Sequence, residues 1–121
     1  MKTSNDPRHI KRQQLVQELF RRDFKDQPIS STAEHILDKK QAIDAIIQQA
    51  AAEFPIEKMN KIDLAILRLA TYELTIERKT IKNVIIDEAV ELAKEFGSDT
   101  SPAFINGVLQ KISTYETTTN I

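Results

Sequence analysis

Apolar positions recur at helical spacing along nearly the whole chain, and alternating β-branched segments are missing, so the pattern predicts an all-α protein. Asp6 before Pro7 reads as an N-cap with proline at the first helical position, opening a helix to about residue 23 or 24. Ser31-Thr32-Ala33-Glu34 has the form of a capping box. It opens a second helix whose apolar positions Ile36, Ile43, Ile47, Ala50 and Phe54 share one stripe until Pro55 stops it. A third helix, from Asn60 or Lys61 to about Glu77, is apolar on most sides and is therefore expected at the centre. The fourth covers roughly residues 82–96 and ends at Gly97, which reads as a left-handed C-terminal cap. Ser101-Pro102 opens the fifth, with Phe104, Ile105, Val108, Leu109 and Ile112 on its buried stripe. The polar tail from about residue 114 is expected to fray. Together these elements predict a compact bundle of about five to six helices, forming a single domain over residues 1–121.

Composition narrows the function classes. A chain of 121 residues, 40% of them hydrophobic, can bury a real but modest core. No apolar run approaches the roughly 20 residues that span a bilayer, and no secretory signal is expected at the N-terminus. Cysteine is absent, which excludes disulfides, a thiolate nucleophile and cysteine-ligated zinc. A cytoplasmic protein is expected. The net charge of -1 conceals an asymmetry: up to Lys25 there are seven basic residues against three acidic ones. Such a bias suits either a surface that meets a polyanion or an ordinary solvated helix face.

Arg8 and Arg12 share a helical face with Leu15, Val16 and Leu19. Burying that whole stripe would cost several kcal/mol for each unpaired guanidinium. The first helix is therefore expected to overhang the bundle, presenting Arg8, His9, Lys11 and Arg12 as a phosphate grip. Arg68 and Glu73 interrupt the third helix five residues apart, too far round to pair with each other. Each should find a partner on another helix or point outward, and Arg68 is a further candidate for lending charge to a groove that meets a polyanion. Gly107 should cost about 1 kcal/mol relative to alanine, which close approach of another backbone beside Asn106 would explain. Catalysis finds little support. His9 and His35 fit no triad or metal-ligand spacing, Glu88 and Glu91 read as surface acids, and no glycine-rich phosphate loop exists. No cofactor is implied.

Three segments carry a resemblance: IDLAILRLATYEL at 62–74, VIIDEAVELAKEFGSD at 84–99 and SPAFINGVLQKI at 101–112. Their order and spacing resemble the NusB family, RNA-binding factors of bacterial transcription antitermination. The resemblance implies binding of single-stranded boxA-like RNA by Arg8, Lys11 and Arg12, with Phe20 and Phe96 beside the bases. Stacking on such rings is typically worth about 1–3 kcal/mol; a core role competes evenly with it for Phe20 and is the preferred reading for Phe96. It also implies that Glu57 and Asp63 lie on the side meeting NusE, the small-subunit ribosomal protein that serves in transcription. The pair would then act on RNA polymerase during ribosomal RNA synthesis. Departures from the family pattern are His9 and Ile10 in place of basic residues, Ile81 in place of a proline, and only residues 25–30 between the first two predicted helices. That short connection predicts an N-terminal half reduced to two helices. Rival readings are the NusB-like domain of RNA cytosine methyltransferases, which needs an α/β domain not found in these residues, and a helical adaptor or homodimer.

Overall fold

The structure, a computed structural model, describes residues 6–119, with side chains to Tyr115. Six α-helices are found there: α1 (Pro7–Arg22), α2 (Ser31–Asp38), α3 (Lys40–Ala50), α4 (Lys61–Tyr72), α5 (Lys82–Phe96) and α6 (Ser101–Thr119). The all-α reading holds. Every residue of α4 from Asp63 to Tyr72 is buried, and α4 touches each of the other helices, so the apolar third predicted helix is the hub. Leu19, Ile66, Ile85 and Leu109 are nearly inaccessible around it. Burial of each such side chain stabilises the fold by roughly 1.5–3 kcal/mol.

The expected second helix is split. At Lys39 the backbone leaves the helix (φ -100°, ψ 9°) and the amide bonds back to Ile36, closing a tightened turn. The break lets the two pieces serve different neighbours, since α2 packs on α1 and α4 whereas α3 packs on α4 and α6. The N-terminal half therefore holds three helical segments rather than two, although residues 23–30 between α1 and α2 contain none. The cap also shifts by one residue: the Ser30 hydroxyl accepts from the Ala33 amide, and Glu34 turns outward to Arg22. Ser30 is held in turn by buried Glu18 of α1, which accepts from its amide and its hydroxyl at 2.9 and 2.8 Å. Phe54 is not the end of a buried stripe. Helix α3 stops at Ala50, and Phe54 is half-exposed against the edge of Phe104.

Helix α4 widens into a π turn, Glu73–Glu77, closed by a bond from the Arg78 amide to the Glu73 carbonyl. Arg78 sits in the left-handed region at φ 57°. The boundaries of α5 agree with expectation, but Gly97 is extended (φ -94°, ψ -168°) rather than left-handed. Its glycine is needed for space: a Cβ there would lie 2.5 Å from the Ser101 hydroxyl oxygen and 2.8 Å from the Ala93 carbonyl oxygen. Gly107 shows the opposite. No atom lies within 4 Å of where its Cβ would be, so the expected close approach beside Asn106 is not made. The helical backbone of α6 continues past the expected fraying point to Thr119.

Candidate functional site

The N-terminal turns of α1 settle where the basic residues go. The Asp6 carboxylate caps the helix through the Arg8 amide at 2.9 Å and also receives the Arg8 guanidinium at 3.2–3.3 Å. These bonds lower the Asp6 pKa and raise that of Arg8. The Arg8 side chain remains 84% exposed. Lys11 is exposed and has no ion pair among the described residues, while Lys2 lies outside them.

The helix does not overhang the bundle. The buried stripe runs through His9, Arg12, Val16 and Leu19, at spacings of three, four and three residues, so it enters the bundle one residue away from Arg8. His9 is buried between two carboxylates of α5, with Nδ1 2.9 Å from Glu88 and Nε2 2.8 Å from Glu95. Both ring nitrogens face carboxylate oxygens, an arrangement that suits the doubly protonated imidazolium. Burial opposes that charge, but the bonds donated to Glu88 and Glu95 outweigh it and the His9 pKa is raised. Arg12 is mostly buried and forms a fork–fork pair with Glu73 at 2.8 and 2.9 Å, with Glu88 a further 3.5 Å contact. Glu88 is thus not a surface acid; only 3% of it is exposed. The π turn brings Glu73 to this position, completing a network of α1, the turn and α5.

Arg68 is engaged in the same manner at the opposite end of α1. It is 3% exposed, with Nε and Nη2 donating to Asp44 of α3 at 2.9 Å and Nη1 donating to Asp23 at 3.1–3.2 Å. All its directed bonds are internal, so it is a clamp of the fold and out of reach of an RNA groove. Phe20 is half-buried and meets the edge of Phe24 at 4.9 Å; Phe24, absent from the expected site, is 64% exposed. Phe96 is also half-buried against the core.

Two of the molecule's concave features bear on the remaining candidate residues. A cleft of about 500 Å³ runs between the start of α1, α2 and the π turn. Lys11 and Lys79 stand on it, the Arg12–Glu73 pair forms part of its wall, and His35 and Tyr72 meet edge to face inside it at 5.7 Å. The Tyr72 hydroxyl is held protonated by burial and by Glu77 and Glu73, which raise its pKa. A groove of about 510 Å³ lies between the Phe54 loop and the start of α6, lined by Phe54, Pro55, Met59, Asp63 and Phe104. Gln48 shapes that loop, donating to the Ala51 and Phe54 carbonyls while accepting from the Ile56 amide. Glu57 is exposed in the adjoining 3₁₀ turn. Asp63 is buried rather than displayed, and its Oδ1 has no hydrogen-bond partner among the described residues. Burial raises its pKa against the opposing influence of Ser101. The expected partner acids thus differ in kind, one presented and one recessed.

Helix α1 and the π turn, packed on one central helix, define an all-helical protein whose sequence can be set beside others. The NusB family profile matches residues 3–114, and the chain belongs to the NusB family. A transcription antitermination protein NusB of Geobacter sulfurreducens is 45% identical over 92 residues, covering 76% of this chain and 64% of that protein. The corresponding protein of Geotalea daltonii is 47% identical over 78 residues, with 64% of this chain and 54% of that protein covered. The chain thus spans less than two thirds of the length of these relatives. The Lysinibacillus sphaericus protein is 36% identical over 129 residues, covering 90% and 98%. Among solved structures, T. maritima NusB superposes with a TM-score of 0.79 and 30% identity, over 94% of this chain and 93% of that one.

Proposed function

We propose that this chain is a non-catalytic RNA-binding factor of transcription antitermination, acting in the cytoplasm on single-stranded boxA-like RNA together with NusE and RNA polymerase. The observation that carries the reading is the family match over residues 3–114, joined to relatives named transcription antitermination protein NusB. The geometry supports a thinner phosphate grip than the sequence implied. Arg8 and Lys11 are the exposed cations in the first turns of α1, with Arg21 exposed at its far end, while Arg12 serves the site by fixing the helix to Glu73. Phe20 and Phe96 are half-buried, leaving ring surface on which an unpaired base could stack. The aromatic groove near exposed Glu57 suits a protein partner, and Asp63 within it offers a recessed acceptor to an incoming donor. Among the described residues no helix is long and apolar enough to cross a membrane.

The test is binding of a boxA-like RNA and a scrambled RNA, each with and without NusE. The boxA-like RNA should bind more tightly, with a further gain when NusE is present. Equal, weak binding of both RNAs under both conditions would sink the antitermination reading and leave a protein–protein adaptor or homodimer. Arg8→Ala and Lys11→Ala should each lower the salt slope of RNA binding by about 0.7 for a lost single-strand phosphate contact.

A further inference from the structure

The cleft beside α1 contains features that neither the fold nor a general phosphate grip uses. Tyr72 is only 8% exposed, yet its hydroxyl is not sealed in the core: it has no hydrogen-bond partner among the described residues and the residue lines the cleft. A tyrosine hydroxyl left without a protein partner on a cleft wall is a donor available to an acceptor that enters the cleft. His35 lies edge to face against the Tyr72 ring and is exposed on its other side. Lys11 from α1 and Lys79 from the loop after the π turn line the same cleft, and neither has an ion pair or hydrogen bond among the described residues. Lys79 follows Arg78, a non-glycine residue in left-handed backbone directly after a π turn. Both are uncommon conformations that concentrate at functional sites. The cleft's volume of about 500 Å³ falls within the roughly 300–1,000 Å³ range of small-ligand sites.

We infer that this cleft binds one phosphorylated ribonucleoside unit. Lys11 and Lys79 hold its phosphate, the His35 ring stacks on the base, and the Tyr72 hydroxyl donates to a base or ribose oxygen. Free lysine charge selects an anion, while the aromatic pair and the available hydroxyl select a flat polar ring attached to it; inorganic phosphate would satisfy only the first requirement. Glu77, also on the cleft wall, can accept from a ribose hydroxyl or base amino group. The unit can belong to an RNA strand or to a free nucleotide. For the first source the inference rests on the RNA-binding reading above and gives it a specific subsite.

The chain has two tyrosines and no tryptophan, so a Tyr115→Phe variant has Tyr72 as its sole tyrosine and its fluorescence reports the cleft. Titration should use a short boxA-like RNA, a nucleoside diphosphate, ribose 5-phosphate and inorganic phosphate. After correction for absorption by the bases, with free tyrosine amide titrated in parallel as the reference, emission should fall with the RNA or the diphosphate and remain unchanged with the two base-free anions. Lys79→Ala and Tyr72→Phe, the latter followed by competition binding, should each weaken the base-containing ligand by about 3–10-fold, the loss of one hydrogen bond or charge contact. Quenching by the diphosphate alone would retain the cleft as a free-nucleotide site while removing the RNA reading. RNA binding with no change in Tyr72 emission, and with full affinity in both variants, would overturn the cleft proposal while leaving RNA binding intact. Equal responses to inorganic phosphate and the nucleotides would overturn it as well, as would no response to any ligand.

Discussion

Helix α1 is tied down at both ends by a cation held among carboxylates, but the two clamps differ in kind. At its C-terminal end Arg68 reaches out of the central helix to Asp23 and Asp44, joining α1, α3 and α4 around a permanent charge. At its N-terminal end the cations belong to α1 itself. His9 lies between Glu88 and Glu95, and Arg12 grips Glu73. The first clamp cannot be titrated in the physiological range, whereas the second contains an imidazolium that can lose its proton. Basic residues counted along a sequence are therefore no measure of the charge available to a polyanion. Here the count is divided among internal clamps, the exposed pair Arg8 and Lys11 at the start of α1, and Arg21 and Lys25 exposed near its other end.

Removing the permanent clamp should have the largest effect. Arg68→Ala leaves two carboxylates without their cation and should destabilise the protein by about 3–5 kcal/mol in urea unfolding. A loss below about 1 kcal/mol would mean water has taken over the guanidinium's role and the clamp contributes little. The titratable clamp should be weaker and pH-dependent. Because the folded His9 pKa is raised, its contribution is complete below the unfolded value of about 6.5 and disappears as pH rises through the higher folded value. His9→Asn should cost roughly 1–3 kcal/mol at pH 6 and progressively less towards pH 9. The Arg68→Ala deficit should stay level across that window, and parallel curves for the two variants would erase the contrast.

Asp63 offers the complementary case, a buried acid without a matching cation. Its raised pKa means that the ionised form destabilises the free protein as pH rises through the folded value. Asp63→Asn should stabilise the isolated chain by on the order of 1 kcal/mol at pH 7, the relief of an under-satisfied buried polar group. Under the partner reading it should at the same time weaken NusE binding, and a destabilised variant would show that Ser101 already satisfies the carboxylate. The smallest effect concerns the start of α5, the helix that carries Glu88 and Glu95. Ile81 is 73% exposed at φ -67°, a geometry proline adopts without strain. Ile81→Pro should add about 0.4–1 kcal/mol through a stiffer unfolded chain, with the His9 pH profile unchanged. A loss of stability there would show that the preceding Thr80 resists the extended backbone proline demands.

Much of the architecture could be read from residue order because its signals are local. Asp6-Pro7 capped α1 as expected, and the all-round apolar character of residues 62–74 placed α4 at the centre. The break at Lys39 was not legible, since neither glycine nor proline marks it and the apolar spacing runs through it. Packing of α2 and α3 on different neighbours makes the turn. Gly97 was recognised as a special position for the wrong reason: the constraint is the nearness of Ser101 and Ala93, not a left-handed backbone. For the basic stripe, a frame starting at Arg8 placed two arginines with the core residues, whereas the frame through His9 was equally compatible with the spacing. Choosing between them requires Glu88 and Glu95, which lie about eighty residues away in sequence, at separations of 79 and 86.

Sequence alone determined the helical class, the hub helix and membership of a family, because caps, periodicity and ordered motifs act within a few turns of chain. Only the tertiary structure decided which charges are spent inside and which face solvent, and it alone assembled the cleft holding Tyr72 and His35. Ion pairing and pocket formation join residues from helices remote in sequence, where no local pattern records the choice.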